Sequence, residues 1–155
     1  MERPSEKDAI RAPIVALDLG EKRVGVAVSD ALSISISRLD AIPRTNWKQL
    51  LRDVDNLIRR FDAQTVVIGL PLGLNGSSGD PALDAQTIAR KFALSLKVPV
   101  YLQDERLTSF AAEQNLIVEG HKRDELSTRI DSEAAAIILR DFMAGGQDRI
   151  LVLCS

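Results

Sequence analysis

Three acidic residues stand at positions where a carboxylate is costly to bury. Asp18 interrupts the apolar run IVALDLG, and Glu105 directly follows the strand-like segment VPVYLQD. Asp131 precedes the segment SEAAAIIL, where helical spacing places it on one face with Ala135 and Ile138. Burying an ionised carboxylate without a partner is unfavourable by several kcal/mol or more. A divalent cation held between converging carboxylates would offset that cost, so these three acids predict a cation site.

The chemistry open to such a site is limited by the composition of the chain. There is one histidine, His121, and one cysteine, Cys154, which effectively excludes a zinc site built from His and Cys. Oxygen ligands favour hard cations, and we expect Mg²⁺ or Mn²⁺. Two such ions, roughly 3.5–4 Å apart, activate water and stabilise the leaving oxygen in phosphodiester cleavage. The acids therefore predict a site for such cations, with two ions expected, and phosphodiester hydrolysis is one of the reactions open to it.

Each acid also has a structural explanation that involves no metal. Asp131 could be a residue of the first helical turn, favoured there by the helix dipole. Glu105 could be a surface acid paired with the adjacent Arg106. Asp18 is the hardest of the three to explain in this way, because it lies within the apolar run.

Basic residues adjoin the segments that carry the acids. Cations beside a metal site suit the phosphate backbone of a nucleic acid. The polar segment GHKRDELSTR, residues 120–129, is predicted to be mobile and able to close over a nucleic acid. The predicted nucleic-acid-binding residues are Lys22, Arg23, Arg106, Lys122 and Arg123.

The glycine-bearing segment GLPLGLNGSSGDP, residues 69–81, is a second candidate for phosphate contact. Successive backbone N–H groups could cradle a phosphate there, with Gly69, Pro71 and Gly76 as the residues of interest. The segment is not a P-loop, because it contains no GKS or GKT. The alternative is a flexible loop, since Asn-Gly and Ser-Gly are turn formers.

The elements that would position these residues follow from hydrophobic periodicity. Strands are predicted at residues 14–19, 22–29 and within 33–42, joined by short links that favour an antiparallel meander. A helix capped by Asn46 or Thr45 then precedes a strand at residues 65–70. A second helix runs from Asp80, as its cap, to about Leu96, and a strand follows at residues 98–103.

Two further helices are predicted at residues 109–119 and 130–144, and the tail RILVLC either forms a short strand or simply packs. The expected fold is α/β: a mixed five-stranded sheet, an antiparallel meander followed by parallel strands, with helices on both faces. Sites in such sheets form beyond the carboxyl ends of the strands.

The length of 155 residues fits one domain, with residues 1–12 as a flexible arm. The net charge of −2 does not indicate a general nucleic-acid binder, although it allows a local basic patch. No apolar run approaches the roughly 18 residues of a membrane span. The amino-terminal residues do not resemble a secretory signal, and the single cysteine fits a reducing compartment, so we expect a cytoplasmic protein.

Four motifs in order resemble the YqgF/RuvX family of RNase H-like nucleases, also described as Holliday junction resolvases. They are LDLGEKRVGVAVSD, VVIGLPLGLNG, QDERLTS and RIDSEAAAIIL, and the match runs from about Ile14 to Gly146. The resemblance implies an RNase H-like fold, with Asp18, Glu105 and Asp131 as metal-binding catalytic acids. It also implies processing of the 5′ end of pre-16S rRNA. One departure is Asn75, where the family commonly has Asp.

Other functions remain open at this point. The resolvase description makes four-way DNA junctions an alternative substrate, and symmetric cleavage of two strands would need a dimer. No dimer stripe is obvious in the sequence, so we expect a monomer or a weak homodimer. The spacing D-x-G-x-x-x-x-G also resembles the phosphate-binding opening of actin-like ATPases, which need two such domains to enclose ATP. A non-catalytic RNA-binding module is the third alternative, and the intact acid set argues against it.

Overall fold

A computed structural model describes residues 10–71, 79–105, 123–145 and 149–153. For residues 123–131 the description covers the backbone and not the side chains. Within these residues the sheet has six strands in the order β3-β2-β1-β4-β5-β6. The strands are β1 (Ile14–Leu19), β2 (Arg23–Ser29), β3 (Ile36–Pro43), β4 (Thr65–Leu70), β5 (Val100–Asp104) and β6 (Arg149–Val152).

The pairing of the strands confirms the predicted mixed sheet. Strands β1, β2 and β3 form an antiparallel meander, while β4 runs parallel to both β1 and β5. The predicted count of five strands is one too low, because β6 pairs antiparallel with β5. Four residues are too few for a clear alternating pattern, which is why the sequence left this tail undecided between strand and packed coil.

The part of the chain that the structure describes contains three helices: α1 (Trp47–Phe61), α2 (Asp80–Ser95) and α3 (Arg123–Ala144). The predicted cap of α1 is confirmed, since the side chain of Asn46 accepts a hydrogen bond from the backbone N–H of Gln49 at 2.9 Å. The predicted cap of α2 is wrong by one position. Gly79 is the N-cap and Asp80 is the first helical residue.

Helix α3 begins at Arg123, seven residues before the predicted start. The segment predicted to be mobile, residues 120–129, is thus helical from Arg123 onward, and its mobility stays a prediction. The stretch RDELSTR has no Gly or Pro, and its residues tolerate a helix well, but it carries no apolar stripe from which a helix could be recognised. The predicted helix at residues 109–119 lies outside the described residues.

Helices cover both faces of the sheet, as predicted. Alternate residues of β1 point to opposite faces: Val15 and Leu17 pack in the core that includes buried residues of α1 and α2. Ile14 and Ala16 pack in a second core with α3, whose buried residues are Ala135, Ala136, Ile138, Leu139 and Phe142. Among the described residues, no helix is long and apolar enough to cross a membrane.

Candidate active site

Asp18 lies near the carboxyl end of β1 and on the face of the sheet that α3 covers. The side chains of Ile14 and Ala16 point to that face, and Asp18 continues the same alternation. Its partner across the antiparallel pair is Gly25, which has no side chain to cover it. The aspartate is thus only partly buried although it stands in an apolar strand.

Three neighbouring strands bring Asp18, Gly69 and Gln103 to one level of the sheet. Leu17 of β1 pairs with Ile68 of β4, so Asp18 and Gly69 are the next residues along these two parallel strands. Gly69 in turn pairs with Gln103 of β5. Because alternation in β4 and β5 also turns these two residues toward α3, the three form one row across the sheet.

Glu105 follows the end of β5, two residues beyond Gln103 and on the same face. Its side chain is 8% exposed, and both carboxylate oxygens are shielded from solvent. Its backbone N–H donates to the carbonyl of Leu70 at 3.0 Å, which fixes the chain as it leaves the strand. Glu105 is therefore buried, which rules out the alternative that it is a surface acid.

Gly69 gives Glu105 the space to lie against β4. A Cβ atom placed on Gly69 would be 3.3 Å from Cγ of Glu105 and 2.5 Å from Cδ1 of Ile138. Since β4 lies between β5 and β1, the side chain of Glu105 leans toward the strand that carries Asp18. The structure thus places Gly69 inside β4, where it accommodates a carboxylate side chain and a residue of α3.

Asp131 is the ninth residue of α3. The alternative that it is a first-turn residue favoured by the helix dipole is therefore wrong. It precedes Ala135 and Ile138 by four and seven residues, and both of these pack against the sheet with at most 1% exposure. Its side chain lies outside the described part of the chain. By helical register, position 131 shares a helix face with Ala135 and Ile138.

The predicted backbone-binding residues divide between described and undescribed parts of the chain. Lys22 is exposed in the β1–β2 turn, and Arg23 begins β2 on the α3 face by the alternation that Ala27 fixes. Pro71 is exposed just after β4. The remaining predicted residues lie outside the described side chains: Gly76, Arg106, Lys122 and Arg123.

Arg44 is a residue that no sequence pattern singled out as functional. Its Nη1 donates to the carbonyl of Gly20 at 2.9 Å, and its Nη2 lies 2.7 Å from the carboxylate of Asp84 on α2. Its backbone N–H also donates to the carbonyl of Lys22 at 2.9 Å. With its side chain only 18% exposed, Arg44 ties the turn after Asp18 to the first part of α2. No short-range pattern signals this role, because both partners are distant in sequence.

The donor set at this edge of the sheet suits a hard cation. Asp18 and the buried Glu105 present carboxylate oxygens on one face, and such ligands select Mg²⁺ or Mn²⁺ over softer metals. Within the described residues, no three His, Cys, Asp or Glu side chains are grouped closely enough to hold a metal. The third predicted ligand, Asp131, is outside that set. The residues present therefore fit a cation without completing its coordination.

Comparison with known proteins identifies the family. Residues 12–145 match the sequence profile of RuvX, described as Holliday junction resolvase. The chain belongs to the RuvX family. This confirms the predicted resemblance and the prediction of a nuclease, a hydrolase that acts on the phosphodiester bonds of nucleic acid.

Curated relatives of this RuvX protein carry a more specific name. The relatives from Syntrophomonas wolfei subsp. wolfei and Roseiflexus sp. are each 38% identical to it and are named as candidate pre-16S rRNA nucleases. The first comparison covers 86% of this chain and 94% of the relative. The second covers 84% and 92%.

Solved structures confirm the RNase H-like fold. Thermus thermophilus RuvC in complex with a Holliday junction superposes with a TM-score of 0.54 at 16% identity, covering 89% of this chain and 98% of that chain. The fowlpox virus Holliday junction resolvase gives 0.51 at 18% identity, covering 86% and 99%. At these identities the likeness concerns the fold alone.

Proposed function

We propose that this RuvX-family protein is a metal-dependent nuclease that acts in 5′-end processing of pre-16S rRNA. The observation that carries the proposal is the placement of Glu105, which is buried at the carboxyl edge of β5 and leans across Gly69 toward the strand of Asp18. The name shared by the curated relatives supports the rRNA substrate. The protein would work as one domain in the cytoplasm, as a monomer or a weak homodimer.

Asp18, Glu105 and Asp131 would hold Mg²⁺ or Mn²⁺, with two ions as the expected number. When bound, such ions lower the pKa of a coordinated water and stabilise the leaving oxygen in phosphodiester cleavage. The protein contributes the arrangement of the acids. Backbone pairing of β1, β4 and β5 fixes the strand ends, and the hydrogen bond from Glu105 to Leu70 holds the glutamate at the edge.

Basic residues around this edge would hold the phosphate backbone of the substrate. Lys22 and Arg23 lie in and next to the turn that follows Asp18, and Arg44 fastens that turn to α2. Contacts of this kind position a nucleic acid without reading its sequence. Arg106, Lys122 and Arg123 would extend the contact, and the segment of Pro71 and Gly76 would approach a phosphate through its backbone.

A second candidate function is resolution of four-way DNA junctions. The description of the matching family favours it. This activity would require two copies of the chain, because each copy cuts one strand of the symmetric pair. Substrate preference and oligomeric state together separate the two candidates.

One cleavage experiment tests both candidates. Labelled precursor rRNA, single-stranded RNA and four-way DNA junctions are incubated side by side with Mg²⁺, Mn²⁺ or EDTA. We expect cleavage of the precursor RNA that needs metal, is lost in Asp18→Asn and is retained in Asp40→Asn, which changes an exposed aspartate of β3. Circular dichroism checks that each variant is folded. Cleavage by Asp18→Asn at the parent rate contradicts the site, and preferential cleavage of junctions by a dimer favours the second candidate.

A further inference from the structure

Gln103 is a buried polar residue on the face of the sheet that α3 covers. The residue is 2% exposed, and its Oε1 is shielded from water and accepts no hydrogen bond from the residues that the structure describes. Buried polar side-chain atoms are hydrogen-bonded in the large majority of cases, because an unmade bond leaves the desolvation penalty uncompensated. The amide oxygen of Gln103 is an exception to this rule and therefore needs an explanation.

The position of Gln103 connects it to the proposed cation site. Gln103 and Glu105 are two residues apart along one strand direction, so their side chains leave the sheet on the same face. Gln103 also pairs with Gly69, the residue at the level of Asp18. The amide oxygen thus belongs to the same face and the same edge of the sheet as both described acids.

The arginine that pairs with Gln103 on β6 does not satisfy this oxygen. Arg149 is the register partner of Gln103 on β6. Its guanidinium group donates instead to the carbonyl of Phe142 near the end of α3, with Nε at 2.8 Å, and stacks on the ring of the same residue. The guanidinium group of Arg149 therefore binds the last turn of α3. The amide oxygen of Gln103 is left available to another partner.

We propose that Gln103 is a further residue of the cation site, where its amide oxygen supplies a neutral oxygen to the hydrated cation. The inference rests on the proposed function, since it needs the cation that Asp18 and Glu105 would hold. Neutral amide oxygens serve as ligands of hard cations, and Mg²⁺ usually keeps several waters that need hydrogen-bond acceptors. Residues that orient bound ligands in this way change metal affinity by about 10–100-fold when they are replaced.

Three variants separate this role from a structural one. Gln103→Met keeps the length of the side chain and removes the oxygen, while Gln103→Glu keeps an oxygen and adds a charge. Gln86→Met is the matched control, because it changes a glutamine on α2, on the opposite face of the sheet. Each protein is titrated with Mn²⁺ by electron paramagnetic resonance, and its thermal unfolding is followed in EDTA and in Mn²⁺.

We expect Gln103→Met to bind Mn²⁺ about 10-fold more weakly than the parent, while its midpoint of unfolding in EDTA is equal to or above that of the parent. Gln103→Glu should unfold at a lower temperature in EDTA and recover in Mn²⁺, since a ligand that binds only the folded state stabilises it. Gln86→Met should match the parent in Mn²⁺ affinity.

Three other results overturn the inference, and they differ in what they mean for the proposed function. If the parent binds Mn²⁺, Asp18→Asn does not, and Gln103→Met binds like the parent, the inference fails and the cation site stands. If the parent binds no Mn²⁺, both fail. A Gln103→Met protein that unfolds well below the parent in EDTA shows that the amide is needed for folding, which also overturns the inference.

Discussion

The Cγ atom of Glu105 lies 3.3 Å from the point at which a Cβ atom on Gly69 would sit. This approach lies between β4 and β5, at the edge of the sheet that carries Asp18 and Glu105. Ile138 of α3 approaches the same point more closely, at 2.5 Å from Cδ1. The absence of one side chain on β4 therefore sets both the path of a carboxylate and the approach of a helix.

Replacing Gly69 with alanine tests that relationship. The new methyl group would overlap Ile138, and relieving such overlap by shifting packed groups typically lowers the free energy of unfolding by about 1–3 kcal/mol. Ile138→Val removes the overlapping Cδ1 atom, so the double variant should lose less stability than the sum of the two single variants. Urea denaturation of the four proteins measures this coupling. Additive losses would show that the two residues do not compete for one space.

Arg44→Lys tests the link between the β1–β2 turn and α2. A lysine has a single ammonium group and cannot reproduce two contacts made by separate nitrogens of a planar guanidinium. We expect the free energy of unfolding to fall by about 1–3 kcal/mol, and KM for a cleaved substrate to rise more than kcat falls, because the turn also carries Lys22. Urea denaturation and steady-state cleavage kinetics give the two readouts.

Arg59→Lys is the control for this prediction. Arg59 pairs with Asp55 at 3.1 Å on the surface of α1, with its side chain 78% exposed. Exposed pairs of this kind contribute roughly 0.2–1 kcal/mol. Equal effects at Arg44 and Arg59 would argue that Arg44 is an ordinary surface arginine.

Gly79→Ser is expected to stabilise the protein. Gly79 is the N-cap of α2 with extended backbone angles, and it offers no side-chain cap. A Cβ atom there would have its nearest neighbour at 3.8 Å, which is an ordinary contact. A serine oxygen can then accept a hydrogen bond from the first turn, so thermal unfolding should show Gly79→Ser about 1 kcal/mol more stable than Gly79→Ala. Equal stability of the two variants would mean that the new hydroxyl makes no cap.

Asp30 gives the β2–β3 loop a dependence on pH. The backbone N–H of Ile34 donates to its Oδ1 at 2.7 Å and is the main reason that the pKa of Asp30 lies below its ordinary value of 3.8. This hydrogen bond to the ionised carboxylate stabilises the folded protein. The stabilisation is fully present above the unfolded-state pKa of 3.8 and is lost as the pH falls through the lower pKa of Asp30 in the folded state. In NMR titrations the carboxyl carbon of Asp30 and the amide proton of Ile34 should share one midpoint below 3.8. Separate midpoints would contradict the link, and Asp30→Asn should remove the transition at Ile34.

Much of the fold could be predicted because a strand that is buried on both faces is a continuous apolar run. Val15 and Leu17 face one core while Ile14 and Ala16 face the other, and all four residues are apolar in the sequence. The start of α3 at Arg123 could not be found in this way, since a polar stretch without an apolar stripe has no periodicity to read.

The candidate site was predictable only where a residue type conflicts with its local setting. Asp18 and Glu105 stand out as acids at the ends of apolar strands, and the structure places both at one edge and on one face. The roles of Gly69 and Arg44 depend on contacts with Ile138 and Asp84. These partners are far along the chain, so no local sequence pattern indicates the contacts. Gln103 is similar, because a glutamine is usually exposed, whereas this one is 2% exposed on the face of the sheet that α3 covers.

Strand β6 bears on how the protein can be produced and modified. It covers the free side of β5, the strand that leads to Glu105. A chain shortened at Gly145 would leave β5 with unpaired backbone groups, which are a template for pairing with other chains. Such a truncation should therefore promote aggregation as well as loss of activity, and purification tags are better attached at the amino terminus.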